Sequence, residues 1–403
     1  MTPGGLTPHA DHLATLPTPY WRLSAWYFFY FAFIGAFSPY FGVYLQSLGL
    51  SAWRISILLS LMQLMRLLAP NFWSWLSERT GRKTSVIRLT SAVSIVGFAG
   101  FLLTHDFTSL FFWMLLLAFF WSGSLPLVEA LTLGHLRQHA ERYGSVRLWG
   151  SVGFIAAVMG IGAMLDALPL VSLLWATLIV LCGIFVGALT LPEAAHEEST
   201  QTPFVSMGQT LRQPRVAALL AANFLMSAAH GPLYVFYSIY LVNYGYTKTL
   251  VGGLWSLGVV TEILVFLLMP RLMRRFSLRT ILLASFACAV LRFPMIGWGI
   301  DSIIILTMAQ LLHGATFGAC HAATVAALHQ WFPGRQQARA QALYGSIAFG
   351  AGGLLGGLLG GQTWDSLGAA WTYTIAAAFA LAGLLLVWHM IHPENIRQVN
   401  PIK

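Results

Sequence analysis

Residues 169–191 read PLVSLLWATLIVLCGIFVGALTL and contain no charged side chain. An α-helix needs about 20 such residues to cross the roughly 30 Å of hydrocarbon in a bilayer. The whole chain has the same character, because 57% of its 403 residues are apolar and only 9% are charged; soluble domains carry about 25% charged residues. A surface this apolar cannot be hidden from water by folding alone. The sequence therefore predicts an all-α membrane protein that contacts a lipid bilayer.

Apolar runs of this length recur along the chain and predict twelve transmembrane helices. They cover residues 21–45, 54–76, 85–104, 108–134, 145–165, 169–191, 215–242, 249–270, 280–299, 302–330, 340–361 and 369–391. The longest connection, 192–213, contains prolines and glutamates and lies near the middle of the chain, as expected of a linker. Flexible tails are expected at 1–19 and 393–403, which leaves an N-terminal half at 20–191 and a C-terminal half at 214–392.

A short motif recurs in the two halves. Tyr143-Gly-Ser-Val opens the fifth predicted span, and Tyr344-Gly-Ser-Ile opens the eleventh, about half a chain length later. Both motifs continue into Gly-rich helix. The repeat predicts two pseudo-symmetric halves of six helices, an architecture that in transporters places the substrate site between the halves at the bilayer midplane.

Lysine and arginine residues predict the orientation of the spans. With a cytoplasmic N-terminus, the outside segments hold only Arg54 and Lys248, and the outside loops also carry Asp106, Asp166, Asp301 and Asp365. The inside segments hold Arg22, Arg79, Arg82, Lys83, Arg88, Arg137, Arg142, Arg212, Arg215, Arg271, Arg274, Arg275, Arg279, Arg335, Arg339, Arg397 and Lys403. The positive-inside rule therefore predicts that both termini are cytoplasmic. The net charge of +9 is a topology signal and forms no basic stripe for nucleic acid.

The cysteines give no sign of a metal or disulfide site. Cys182, Cys288 and Cys320 each lie inside an apolar run, with no Cys or His at metal-ligand spacing. No cofactor or metal is expected. An intramembrane enzyme would need a nucleophile with its base, or a metal cluster, at one depth, and the sequence offers neither.

Five charged residues fall inside predicted spans: Arg66, Glu129, Arg147, Glu262 and Arg292. A charge at the bilayer centre costs at least about 2.5–3.5 kcal/mol, so such residues usually have a role. Arg66 lies twelve positions before Glu78, which is about 18 Å of helix and places it near midplane. It is either a cation in a cavity or a structural arginine bonded to backbone carbonyls.

Opposite charges are also predicted at one depth on spans eight and nine. Glu262 lies nine residues before Arg271, and Arg292 lies thirteen after Arg279. This placement predicts a buried ion pair, which is either purely structural or able to exchange a proton.

Histidines His230, His313 and His321 lie within spans as well. His313 and His321 are eight positions apart, about 80° around a helix, so both can face one cavity. Each is either a satisfied hydrogen-bonding group or, beside an intramembrane Glu, part of a proton relay.

The loop after span two carries a recognisable motif. Ser77-Glu-Arg-Thr-Gly-Arg-Lys83 resembles the D-R-x-G-R-K signature of the major facilitator superfamily, with Glu78 in place of the usual Asp. In that superfamily the motif forms a cytoplasmic charge cluster that steadies the outward-facing state. The resemblance implies a cytoplasmic gate formed by Glu78, Arg79, Arg82 and Lys83.

Two longer segments resemble one group of this superfamily. Tyr143-Gly-Ser-Val-Arg-Leu-Trp-Gly-Ser-Val-Gly-Phe154 is similar to span five of 3-phenylpropionate transporters, and more distantly of the lactose permease group. Leu254-Trp-Ser-Leu-Gly-Val-Val-Thr-Glu262 resembles the 3-phenylpropionate group again. The resemblance extends over essentially the whole chain.

The resemblance also implies roles for single residues. Glu129 lies eighteen positions before Arg147, the interval of the substrate-binding pair in the lactose permease group. Glu262, Arg292 and His313 match residues that couple sugar binding to proton translocation in that group. Two positions depart from its pattern, because Phe154 replaces a sugar-stacking Trp and Thr316 replaces a span-ten carboxylate. Galactoside recognition is therefore not implied.

The expected function is proton-coupled import of a small organic anion, such as the aromatic carboxylate 3-phenylpropionate, across a bacterial inner membrane by a monomer. Arg66, Arg147 and Arg292 would bind the carboxylate, since the guanidinium fork engages both oxygens. Glu129 would hold Arg147 in place or sense the proton. Glu262 with His313 would carry the proton, and His230 and His321 are further candidates for the cavity.

Two other transport functions stay open. Proton symport of a neutral sugar or nucleoside would use Glu129 and Arg147 as hydrogen-bonding partners. Drug/proton antiport is disfavoured, because such exporters usually carry Gly-Pro-Gly in span five and residues 150–163 contain no proline.

Overall fold

The computed structural model describes residues 19–136, 139, 142–194, 211–332 and 336–392. Within these ranges the chain forms twelve helices that are long and apolar enough to span a membrane. They are α1 (Tyr20–Ser47), α2 (Ala52–Thr80), α3 (Lys83–Leu102), α4 (Phe107–Leu136), α5 (Tyr143–Ala167), α6 (Ser172–Thr190), α7 (Pro214–Asn243), α8 (Lys248–Arg275), α9 (Leu278–Trp298), α10 (Ile303–Trp331), α11 (Arg339–Leu367) and α12 (Ala369–Met390). The predicted all-α fold with twelve spans is confirmed.

The predicted tails and much of the predicted linker lie outside the described residues. This holds for residues 1–18 of the N-terminal tail, for 393–403, and for 195–210 between the halves.

Several helices begin at a capping residue that the sequence supplies. Ser51, Thr247, Ser277 and Ser302 precede α2, α8, α9 and α10, and each side chain accepts a hydrogen bond from a first-turn N–H of its helix. Asp106 does the same for α4, since its Oδ1 lies 2.9 Å from the Ser109 nitrogen. These hydrogen bonds lower the pKa of Asp106 below its usual value. Such caps satisfy N–H groups that have no partner within the helix.

The helices pack into two groups of six that follow the chain. In the first group α1 packs against α5 and α6, and α4 packs against α2 and α3. In the second group α7 and α9 pack against α12, and α11 packs against α7. Contacts between the groups come mainly from α5 with α8, α2 with α11 and α1 with α7.

Glycines allow the closest helix contacts, and they do so at equivalent places in the two halves. A Cβ on Gly153 of α5 would clash with the Phe28 carbonyl of α1, and a Cβ on Gly356 of α11 would clash with the Ala228 carbonyl of α7. The Gly-rich stretches after the repeated Tyr-Gly-Ser motifs are therefore close-packing surfaces, as small residues are in many membrane helices.

The two ends of the bundle differ in charge and in contact between the halves. We call the end with Asp106, Asp166, Asp301 and Asp365 the acidic end, and the end with Arg79, Arg82, Arg274 and Arg275 the basic end. At the acidic end, the Tyr40 hydroxyl of α1 donates to the carbonyls of Val158 on α5 (2.7 Å) and Lys248 on α8 (3.1 Å). Gly361 of α11 lies against Ser56 of α2. At mid-depth, Gly353 of α11 lies against Gln63 of α2.

Two spans of the second half are not regular α-helices. Residues Gly314–Ala319 of α10 and Ser346–Gly352 of α11 form π-helical turns. Such turns are rare and occur frequently at functional sites. Both lie beside the polar side chains described next.

Candidate functional site

A cavity lies between the two halves at mid-depth. Helices α1, α2, α4, α7 and α11 form its lining. The aromatic part of the wall consists of Phe33, Phe37, Trp121 and Tyr234, and the polar part includes Ser38, Ser60, Gln63 and Arg66. Such a mixture of apolar walls with few polar groups is typical of small-molecule sites.

Arg66 of α2 is an exposed cation in this cavity. Its Nη1 lies 3.5 Å from Gln63 Oε1, one turn away, and its charge acts on the hydroxyls of Tyr30 and Tyr234. Among the described residues, no carboxylate forms an ion pair with it. The arrangement favours the cavity interpretation over a structural arginine bonded to backbone carbonyls.

Arg147 and Glu129 lie in the first half but do not bind each other. The Arg147 guanidinium lies 3.7 Å from the centroid of the Phe31 ring and 5.8 Å from that of Tyr27. Glu129 accepts a hydrogen bond of 3.3 Å from the Tyr143 hydroxyl. The two charges still interact electrostatically. The aromatic and phenolic partners were not predicted, because the interval of eighteen residues carries no information on them.

Arg292 of α9 is completely buried and makes four hydrogen bonds within the second half. Its Nε donates to the Ala309 carbonyl at 2.9 Å, and its Nη2 donates to Gln310 at 3.3 Å. Its Nη1 donates to Thr316 Oγ1 at 3.1 Å and lies 3.2 Å from His230 Nε2. Neutral acceptors from α7 and α10 therefore surround the guanidinium.

The expected ion pair between Glu262 and Arg292 is wrong. No ion pair joins them in the described structure, because Glu262 of α8 is directed at α10 instead. The Glu262 carboxylate lies 4.0 Å from His313 Nε2, and its Cγ faces Gly318 in the π-helical turn of α10. Sequence spacing gives the height of a residue along its helix, but height does not determine which neighbour a side chain faces.

Glu262 is more accessible than its neighbour His313. Its side chain is 21% exposed, whereas that of His313 is 9% exposed. Burial affects the Glu262 carboxyl most, and the charge of Arg147, on the opposite half, acts on it electrostatically as well. His313 stacks on Phe317 with centroids 5.7 Å apart, and its Nδ1 is buried without a hydrogen-bond partner in the described structure.

The other two histidines have different surroundings. His230 is buried, with Nδ1 2.8 Å from the Met226 carbonyl and Nε2 facing Arg292. Because Nε2 must accept from the guanidinium, Nδ1 carries the proton and the ring is neutral. His321 Nδ1 lies 3.0 Å from the Tyr344 hydroxyl of α11. Neither ring lines the central cavity.

The residues of the predicted cytoplasmic gate lie in the turn between α2 and α3 at the basic end. Gly81 has φ of +65°, which lets the chain reverse direction. Glu78, Arg79 and Arg82 are exposed. The Lys83 backbone N–H donates to Glu193, from the segment after α6, at 3.1 Å.

These features are those of a helical membrane protein with a largely apolar cavity, containing a few polar groups, between two halves. A model of the MFS_1 like family matches residues 20–375. The chain belongs to the MFS_1 like family. This membership confirms the resemblance to the major facilitator superfamily.

Known transporters resemble the chain along nearly its whole length. A probable 3-phenylpropionic acid transporter of Escherichia coli (strain K12) is 30% identical over 371 residues, which cover 90% of this chain and 96% of the relative. The maltose permease of Geobacillus stearothermophilus is 23% identical over 366 residues, covering 90% and 92%. A crystal structure of the nucleoside transporter NupG matches with a TM-score of 0.80 at 16% identity, covering 92% of this chain and 98% of that one, which shows the shared fold. This MFS_1 like protein is therefore a multi-pass membrane transporter of small molecules and not an enzyme.

Proposed function

We propose that the protein imports a small aromatic carboxylate, of which 3-phenylpropionate is the example, together with protons across a bacterial inner membrane. The observation that carries this proposal is an exposed cation without a carboxylate partner, Arg66, in a cavity with aromatic walls. A cation attracts an anionic group, and aromatic walls suit a ring. The 30% identical relative named as a probable 3-phenylpropionic acid transporter supports the same substrate class.

Arg66 and Gln63 are proposed to bind the substrate carboxylate, and Arg147 to join them when the halves close. In the described structure Arg147 lies against aromatic faces and forms no ion pair with Glu129, so it can turn toward an anion. Glu129 is then available to receive Arg147 after the substrate leaves. Arg292 is assigned a structural role and not the substrate-binding role expected from the sequence, because four hydrogen bonds hold its guanidinium within the second half. It positions His230 and α10, and does not bind substrate.

Glu262, with His313 beside it, is proposed as the proton site. Both side chains lie next to a π-helical turn, and Glu262 interacts across the halves with Arg147. When the substrate carboxylate binds Arg147, a second negative charge would enter a low-dielectric cavity. Protonation of Glu262 keeps the total charge of the site unchanged, and this couples the proton to the anion.

The proposed orientation relates the structure to one state of the transport cycle. If the basic end is cytoplasmic, as the positive-inside rule requires, both termini are cytoplasmic as well. Contacts between the halves extend from mid-depth to the acidic end, which in this orientation corresponds to closure on the outer side. Rocking of residues 20–191 against 214–392, joined by the linker 192–213, then exposes the cavity to the other side. One chain contributes both halves of the cavity, consistent with a functional monomer.

Counterflow in proteoliposomes tests the substrate class. Vesicles loaded with unlabelled 3-phenylpropionate should accumulate the labelled acid, whereas vesicles loaded with maltose or a nucleoside should not. Arg66→Gln should reduce counterflow at least about tenfold, because a hydrogen bond to a charged group is worth about 1.5–3 kcal/mol. Arg271→Gln, an exposed change at the basic end, is the matched control. Counterflow of neutral solutes alone would refute the proposal.

The second candidate function is proton symport of a neutral sugar or nucleoside. It is favoured by the maltose permease relative and by the free hydrogen-bonding capacity of Glu129 and Arg147. In that case maltose or a nucleoside, and not 3-phenylpropionate, would support counterflow, and Arg66→Gln would have little effect.

A further inference from the structure

At the acidic end, a carboxylate of the first half binds the start of a helix of the second half. Asp166, at the end of α5, accepts hydrogen bonds from the backbone N–H groups of Lys248 and Thr249, both at 2.8 Å. The Thr249 hydroxyl donates to the same carboxylate at 2.7 Å, and the Lys248 ammonium lies 3.7 Å away. Asp166 therefore caps the first turn of α8 from the opposite half.

The same arrangement occurs a second time with the halves exchanged. Asp365, at the end of α11, accepts hydrogen bonds from the N–H groups of Ala52 (3.3 Å) and Trp53 (3.0 Å), which open α2. In both helices the backbone N–H of the third residue donates instead to the side chain of the helix's own capping residue. Arg54 N–H donates to Ser51 Oγ, and Leu250 N–H donates to Thr247 Oγ1. The pseudo-symmetry of the fold thus extends to individual hydrogen bonds.

We propose that Asp166 and Asp365 are a matched pair of gate residues that hold the acidic end closed and release together when the halves separate. A carboxylate at a helix N-terminus is stabilised by the unpaired N–H groups and by the helix dipole. Separation of the halves breaks both caps at once, and water replaces the carboxylates. The pair therefore sets the balance between the state closed at the acidic end and the state open there.

The chain contains a natural control for this proposal. Glu193 accepts hydrogen bonds from the N–H groups of Lys83 (3.1 Å) and Thr84 (3.0 Å) and from the Thr84 hydroxyl (2.6 Å). The capped pair is again Lys-Thr, as at Lys248 and Thr249, but here Glu193 follows α6 and both capped residues belong to the first half. Because this cap joins no residue of the second half, its loss should not favour opening of the acidic end.

Distances between spin labels measure that balance directly. Labels on cysteines at Leu168, after α5, and Tyr244, after α7, report on the acidic end, because both side chains are half exposed and lie on opposite halves. The background carries Cys182→Ser, since Cys182 is exposed. Double electron–electron resonance is recorded in lipid nanodiscs without substrate, so the result does not depend on the proposed substrate or on protons.

Asp166→Asn and Asp365→Asn should each raise the ratio of the long-distance to the short-distance population about two- to fivefold, because the amide keeps one acceptor oxygen but loses the charge that the helix dipole stabilises. The double variant should raise the ratio about four- to 25-fold, because sites that share no partner act additively. Glu193→Gln should not raise the ratio. If Asp166→Asn does not assemble, Thr249→Val removes one donor and should give a shift of about twofold.

An unchanged distance distribution in both Asp variants would overturn the proposal. So would an equal shift in Glu193→Gln, because the effect would then reflect general destabilisation.

Discussion

The Arg147 guanidinium lies against the face of Phe31, 3.7 Å from the ring centroid, and not against the carboxylate of Glu129. A cation–π contact of this kind contributes about 0.5–2 kcal/mol, less than a desolvated ion pair loses when it breaks. Arg147 is thus held in place but can be released at low cost. This is what a residue needs if it is to exchange an aromatic partner for a substrate carboxylate during each transport cycle.

Phe31→Leu should therefore weaken substrate binding although Phe31 itself need not touch the substrate. Without the aromatic face, Arg147 is expected to pair with Glu129, and the substrate must then compete with that carboxylate. We expect the KM for 3-phenylpropionate to rise about two- to tenfold, measured as initial uptake rates in proteoliposomes. The control is Phe29→Leu, because the Phe29 side chain packs against Gly183 of α6. Equal KM values for the Phe31 variant and the parent would contradict this role.

Arg292 should behave as a structural residue. Arg292→Met would leave the Ala309 carbonyl, Gln310 and His230 without their partner in a buried site. We expect the free energy of unfolding to fall by about 3 kcal/mol or more, measured by thermal unfolding in detergent. Arg66→Met, at an exposed position, should change stability by less than about 1 kcal/mol. Normal stability with lost substrate binding in Arg292→Met would instead mean that Arg292 contacts the substrate.

Glu262→Gln should separate substrate exchange from accumulation. The amide retains the size of the side chain but cannot carry the proton, so an imposed pH gradient should no longer drive uphill uptake. Exchange of labelled for unlabelled substrate at equal concentrations should continue, since it needs no net proton movement. Uphill uptake at the parental rate in this variant would exclude Glu262 as the proton site.

Hydropathy predicted much of the fold. The twelve spans follow from apolar run length, because a helix must satisfy its own backbone hydrogen bonds across the hydrocarbon. The repeated Tyr-Gly-Ser motifs indicated equivalent helices, and α5 and α11 indeed use their glycines in equivalent contacts. The relative height of residues along one helix could be predicted from the sequence as well, because each residue advances about 1.5 Å along the helix axis.

The side-chain contacts inside the bundle could not be predicted from sequence spacing. Sequence spacing fixes the height of Glu262 and Arg292 but not the rotation of α8 and α9, which determines the neighbour of each side chain. Rotation depends on packing of the whole bundle, for example on Gly318 making room for Glu262. The caps by Asp166 and Asp365 were missed for the same reason, since they join residues that are far apart in sequence. A carboxylate at the end of a helix was their only sequence signal.

The central claim is that an anion and a proton share one passage between two moving halves. Its most direct test is the internal pH of proteoliposomes that contain a trapped pH dye, with no pH gradient imposed at the start. Addition of 3-phenylpropionate outside should acidify the lumen faster than in protein-free liposomes, and Glu262→Gln should abolish the difference. Entry of the labelled substrate through the protein with no acidification beyond that of protein-free liposomes would contradict the account.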